Sequence, residues 1–196
     1  MADRLVVFID YQNVHGSARR QFFPAGSHPA EGHIDPLRLA HLLAKRRSRQ
    51  TLVEGVRIYR GRPNPIHQAR SAAANDRQTE TWRRSSLVTV VRRPLQYRHD
   101  YPVTPAVEKG IDVALAVDVV AMGLRKEYDA AIVFSSDTDL MPAIETVYYN
   151  QLGHIELATW AGANRLRFPD TQLPYCHYVR EQEFRTIEDR TDYTIP

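Results

Sequence analysis

The sequence predicts an α/β fold with a mostly parallel central sheet flanked by helices. Three observations point there. Short apolar runs rich in β-branched residues recur along the chain, and stretches with helical spacing lie between them. Most of the runs are continuous rather than alternating, which suits strands buried on both faces, as a parallel sheet requires. Strands that alternate with helices define the α/β class.

The strands are expected at Leu5–Ile9, Leu52–Tyr59, Leu87–Val91, Ala130–Phe134 and Ile155–Trp160, with Cys176 on a further late strand. Asp35-Pro36 followed by LRLAHLLAKRR reads as an N-cap, a proline in the first turn and leucines at helical spacing. Residues 65–84 form a second expected helix, with Ala69, Ala72 and Ala73 on one side and arginines elsewhere. Ile111–Leu124 is apolar except for Asp112 and Asp118, so a buried helix is expected. Asp139–Tyr149 continues as another, its Pro142 falling in the first turn, where proline is tolerated. Residues 22–34 and 94–110, rich in Pro and Gly, read as loops. A single domain is expected over residues 1–184, followed by a polar tail over 185–196.

Composition narrows the function. The 196 residues are 43% hydrophobic and 25% charged, within the globular range. No apolar run approaches the roughly 20 residues of a membrane span. Leu5–Ile9 is too short for a signal peptide and no cleavage site follows. The one cysteine, Cys176, excludes an intrachain disulfide and a Cys-based zinc site, so the expected location is cytoplasmic. Net charge is +3, but residues 41–100 hold fourteen Lys/Arg against four Asp/Glu, which leaves −7 for the remainder. Such a basic stretch is either a solvated face or a surface for a polyanion.

The acids carry more information. Asp10 directly follows the first strand, and Asp137 follows the fourth, with Asp139 two residues on. Asp112 opens the apolar helix. In open α/β sheets ligands bind beyond the carboxyl ends of the strands, where Asp10 and Asp137 would lie. Clustered carboxylates repel one another, and oxygen ligands without His or Cys suit Mg²⁺ or Mn²⁺. Each acid could instead cap a helix, a role that fits the SSDTDL string well. Asp118 stands about 240° around the helix from Asp112, so it is expected to support Asn13 or nearby amides rather than share the same ligand.

FIDYQNV, EKGIDVALAVDVV and AIVFSSDTDLMPAI, in this order and separation, resemble the NYN-domain family of the PIN-like nuclease superfamily, and within it the bacterial LabA-like branch. The similarity spans residues 4–184, and VVRRPLQY matches the strand and loop ahead of the Lys-Gly-x-Asp motif. The resemblance implies a Rossmann-like PIN fold and a metal-dependent ribonuclease. The family's first acid and its following Asn fall on Asp10 and Asn13. Its later acids fall on Asp112, Asp137 and Asp139, and its mid-helix acid on Asp118. Many members have Ser-Gly-Asp where this chain has Ser135-Ser136-Asp137, which leaves the carboxylate in place. A further Glu from a central helix is also implied, with Glu80 and Glu108 as candidates.

The expected chemistry is therefore RNA phosphodiester hydrolysis at one or two Mg²⁺ or Mn²⁺ ions held by Asp10, Asp112 and Asp137. Asp139 would complete the shell or orient water. Asn13 and Ser136 would bond the carboxylates or the scissile phosphate. Arg60, Arg62, Arg92, Arg93, Arg98 and Lys109 would contact flanking phosphates, and Tyr11 or Tyr97 would stack on a base. DNA presents the same backbone. The alternative class is a non-catalytic RNA-binding or regulatory module on the same fold. A haloacid-dehalogenase phosphatase is disfavoured because Gln12 stands where that pattern needs a second Asp. His15 and Cys176 are expected to be structural, and Tyr148 and Tyr149 are apolar surface candidates for a homodimer.

Overall fold

The computed structural model describes residues 1–195. Six strands form one all-parallel sheet: β1 (Asp3–Asp10), β2 (Thr51–Arg62), β3 (Val88–Pro94), β4 (Ala130–Phe134), β5 (His154–Trp160) and β6 (Cys176–Val179), in spatial order β3-β2-β1-β4-β5-β6. The chain leaves β1 in one direction to build β2 and β3, then returns to place β4 on the other side of β1. That reversal opens a crevice at the carboxyl ends of β1 and β4, the place where this topology binds ligands. The expected α/β architecture is thus present. β1 and β4 are buried along most of their length because helices cover both faces.

One face packs α1 (Tyr11–Phe22), α2 (Pro36–Arg46) and α6 (Glu181–Ile187) over Leu5, Val7, Ile9, Ile132 and Phe134. The other packs α4 (Ile111–Leu124) and α5 (Met141–Tyr149) over Val6, Phe8, Val133 and Leu157. α3 (Ala69–Trp82) joins β2 to β3. Alternate residues of each central strand therefore feed two separate cores. Asp35 caps α2 as expected, accepting from the amides of Leu37 and Arg38 at 2.9 Å each.

Several expectations are corrected. α3 starts at Ala69, since Asn64 forms a turn with Ile66, and it buries Asn75, Gln78 and Thr79 beside Ala72 rather than an alanine stripe. Residues 138–140 form a 3-10 turn ahead of α5. α1 is a full helix that composition concealed. α4 is not buried all round: Val113, Val117 and Leu124 are 63%, 59% and 63% exposed. The expected domain boundary at Phe184 falls inside α6. Beyond it Ile187 and Tyr193 are buried, Glu188 bridges to Ile34, and the Asp189 amide donates to the His33 carbonyl at 2.9 Å. The segment through Tyr193 belongs to the folded body.

Candidate active site

Three segments distant in sequence deliver one carboxylate each to the crevice. Asp10 ends β1 and caps α1, Asp112 lies in the first turn of α4, and Asp137 follows β4 and caps the 3-10 turn. One carboxylate oxygen from each lies within 4.8 Å of the other two. Among the described residues, no Lys, Arg or His forms an ion pair with any of them.

The electrostatics follow from that lack. Asp10 is 3% exposed, and burial, aided by the charges of Asp112 and Glu108, pushes its carboxyl up to about 7. Burial also raises Asp112, followed by repulsion from Asp137 and Asp139. Two hydrogen bonds hold Asp10 against this: Ser135 Oγ donates to it at 2.7 Å, and the Asn13 amide at 3.3 Å. The same Ser135 hydroxyl accepts from the Asp137 amide at 3.0 Å. Ser135 thus couples the two strand ends. Asp137 in turn accepts from the Asp139 amide at 3.0 Å.

Not every anticipated residue takes its expected place. Asp139 is exposed and lies outside the triad, although its charge reaches Asp112. The Asn13 side chain does not touch the carboxylates; it accepts from the Ser136 hydroxyl at 3.0 Å and amide at 3.2 Å, tying α1 to the end of β4. Ser136, where the resemblance led to an expected glycine, has no positive φ, so no glycine is needed there. Asp118 points elsewhere, accepting from Arg57 and Tyr59 at 2.7 Å each, and so pins α4 to β2. It supports neither Asn13 nor the triad.

Glu108, not Glu80, neighbours the triad. Its carboxylate accepts from the Gly61 amide, and burial followed by the Asp112 charge raises it. Gly61 permits the approach, because a Cβ there would stand 2.7 Å from Glu108 Oε1. Gly110 opens α4 with φ of +73°, and a Cβ would sit 3.7 Å from the Arg93 side chain. Lys-Gly-x-Asp thus aims Asp112 by a left-handed turn that glycine accommodates. Glu80 is exposed on α3.

The basic residues divide in two. Arg93, Arg98 and Lys109 are exposed and form no side-chain ion pair or hydrogen bond among the described residues. Arg62 and Arg92 share Asp76, whose carboxyl they lower to about 2, Arg62 contributing most. Arg62, Arg83, Arg92 and Arg93 line a cleft of about 630 Å³ beyond β2 and β3. Arg60 is a different case. Its guanidinium lies 4.7 Å over Tyr11 and 5.3 Å over Trp82 and donates to Gln78 at 2.6 Å, while burial lowers its pKa. It is a packing cation, not a phosphate contact.

Neither proposed stacking tyrosine is free. Tyr11 is 2% exposed and bonded to His33 at 2.7 Å. Tyr97 bonds Gln68 and Asn64 and packs between His67 and Tyr101. His15 stacks on His33 at 4.3 Å, and burial lowers the two to about 4 and about 3. Cys176 is buried, which raises its thiol to about 11. A larger cleft, about 850 Å³, lies between α2, α3 and the C-terminal segment, and none of the three acids lines it.

The site residue missed in the sequence is Ser135, whose hydroxyl joins Asp10 to the Asp137 amide; it lay in the SSDTD string, but β4 is buried on both faces, so its pattern does not say which serine meets Asp10.

The comparisons agree with this geometry. The fold is similar to the crystal structure of VPA0982, a protein of unknown function from Vibrio parahaemolyticus, with a TM-score of 0.57 at 15% identity over 84% of this chain and 85% of that one. No curated protein matches the chain significantly. Among the described residues, no helix is long and apolar enough to cross a membrane. The NYN domain profile matches residues 4–165, from β1 through β5. The chain belongs to the NYN-domain family, within the PIN-like nuclease superfamily.

Proposed function

We propose that the protein is a metal-dependent ribonuclease, of the LabA-like branch, that hydrolyses RNA phosphodiester bonds in the cytoplasm. The observation that carries this reading is the convergence of Asp10, Asp112 and Asp137 within 4.8 Å without a neutralising side chain. Three carboxylates this close, Asp10 buried and the other two half-buried, repel one another unless a cation joins them. An all-oxygen donor set of this kind fits Mg²⁺ or Mn²⁺. Such an ion, held by the three aspartates, supplies charge for the phosphoryl oxygens and lowers the pKa of a bound water.

The chain's own groups prepare the site. Ser135 holds Asp10 and Asp137 in a common register through one hydroxyl. Asp139 stands at the exposed rim, where it can order water. Arg93, Arg98 and Lys109 offer unpaired cations to the flanking phosphates, and Arg62 and Arg92 extend the track when Asp76 yields to a phosphate.

Asp137→Asn keeps the shape of the site and removes one charge. Purified in Mg²⁺ or Mn²⁺, the wild-type protein is expected to cut single-stranded RNA, and this variant to lose about 10²-fold or more in rate. Side-by-side assays on single-stranded RNA and DNA of equal sequence separate the two substrates. A folded, metal-replete protein that cuts neither overturns the reading. RNA binding without turnover would favour the regulatory module instead.

A further inference from the structure

The cleft beyond β2 and β3 is lined by charge of one sign. Arg62, Arg83, Arg92 and Arg93 border its volume of about 630 Å³, and among the described residues no acid does. That volume lies in the range of small-ligand pockets. Arg83 gives one N–H to the Val90 carbonyl at 2.8 Å and is otherwise exposed. The countercharge for the group stands behind it, on α3. Arg62 forks onto both oxygens of Asp76, through Nε at 2.9 Å and Nη2 at 2.7 Å, and Arg92 shares one of those oxygens. Two guanidinia converging on one anion is also the arrangement that holds a phosphate. The Asp76 side chain is 35% exposed, so its return to water costs little.

The cleft is also continuous with the triad. The Arg93 guanidinium lies beside Gly110, its Nη1 3.7 Å from where a Cβ would stand, and Gly110 is two residues from Asp112. Arg62 lies three residues beyond Tyr59, the register partner of Asp10, which is about 10 Å farther along the strand. Arg93 therefore borders both places and joins them across the edge of the sheet.

We propose that this cleft holds a backbone phosphate of the nucleic-acid strand a few nucleotides from the bond that is cut, and that Asp76 is a built-in competitor that occupies Arg62 and Arg92 until the phosphate displaces it. The exchange replaces one anion by another at the same guanidinia, so no charge is left without a partner. It also selects a strand over a free ion. A small anion must outcompete Asp76 from dilute solution. A strand already seated at Arg93 delivers its next phosphate at high effective concentration. Asp76 thus sets a threshold that favours strands long enough to reach from the triad into the cleft. The place of the cut rests on the nuclease reading, but the binding does not, because it is read without turnover.

The test is fluorescence anisotropy of labelled single-stranded RNA in chelator, over a series of salt concentrations. Arg62→Ala and Arg92→Ala should each weaken binding and lower the slope of log Kd against log salt by about 0.7. Asp76→Asn should act in the opposite direction and tighten binding by about two- to fivefold, the range set by a part-exposed ion pair. Arg49→Ala, an exposed arginine at the other end of β2, should change neither quantity. Thermal melts check that each variant is folded, and if Asp76→Asn is not, the arginine variants decide alone. Titration with inorganic phosphate separates the two sources of the anion. Saturable phosphate binding that is lost in Arg62→Ala, with RNA affinity unchanged in that variant, would overturn the strand assignment. An Asp76→Asn protein that is folded yet binds RNA no more tightly than wild type, or arginine variants with an unchanged salt slope, overturns the proposal. Binding as described by a protein that cuts nothing would defeat the nuclease reading and leave this inference standing.

Discussion

Two groups of buried acid stand in this sheet, and they are held in opposite ways. At the carboxyl end, Asp10 sits with Asp112 and Asp137 and has only hydroxyl and amide donors for company. On β5, Glu156 is 5% exposed, yet Arg47 and two histidines surround it. Arg47 donates to it at 2.8 Å, His177 approaches at 2.6 Å and His154 at 3.1 Å. Arg47 also reaches Thr51 and Asp3, so it ties the start of β1 and β2 to β5. Burial alone would raise Glu156, but bonds from His154, His177 and Arg47 outweigh it and hold the carboxyl well below the usual range. The lesson is that burial of an acid does not mark a site. A structural acid arrives with its countercharge in the same chain, whereas the triad lacks one and leaves a place for it.

Exchanging the charge at each place should separate the two roles most sharply. Asp10→Asn is expected to lower metal-dependent cleavage by about 10²-fold or more while raising the stability of the metal-free protein at pH 8 by about 2–4 kcal/mol. Glu156→Gln should do the reverse: a loss of about 3–5 kcal/mol in denaturant unfolding, with the cleavage rate per folded molecule little changed. Stability that falls on Asp10→Asn would show that the triad is not under strain from its own charge.

Acid should also act on the two places with opposite sign. The folded protein raises the Asp10 carboxyl from 3.8 to about 7, so the folded form binds that proton more tightly. In metal-free protein its contribution is most favourable below about pH 4 and declines as pH rises towards about 7. Glu156 is lowered instead, so its contribution is complete above its unfolded value of 4.5 and is lost as pH falls further. Thermal melts in chelator from pH 4 to 8 should therefore show wild type losing stability relative to Asp10→Asn as pH rises. Glu156→Gln should differ least from wild type at the acid end. Parallel curves for all three proteins would refute the distinction.

A smaller effect is expected at Asp118, which pairs with Arg57 and Tyr59 where α4 meets β2. Asp118→Asn should cost about 1 kcal/mol in stability and leave cleavage within about twofold. A large kinetic loss would return this residue to the site.

Much of this arrangement was legible in the sequence. β4 and α4 have the bounds that their apolar runs suggest, and the motif acids meet where strand ends should bring them. What was not legible depends on partners from other segments. α1 is polar and contains Gly16, so its sequence shows little helical pattern; its Asp10 cap and the packing of Tyr11, Val14 and Ala18 hold it. Arg60 reads as a surface cation until Tyr11 and Trp82 close over it. Arg62 and Arg92 read as free until α3 brings Asp76 between them. α4 reads as buried because it is apolar apart from Asp112 and Asp118, and only the packing shows that one strip faces outward.

The order of the strands has a temporal consequence. A ribosome delivers Asp10 early, and 127 residues later it delivers Asp137 on the segment after β4, the strand that must seat directly beside β1. Until then the growing chain has β2 and β3 in place on one flank of β1 and nothing on the other. Two of the three carboxylates exist, but Ser135 is not there to join them. The triad is thus a product of finishing the sheet, and a nascent chain carries no assembled triad until β4 has docked beside β1.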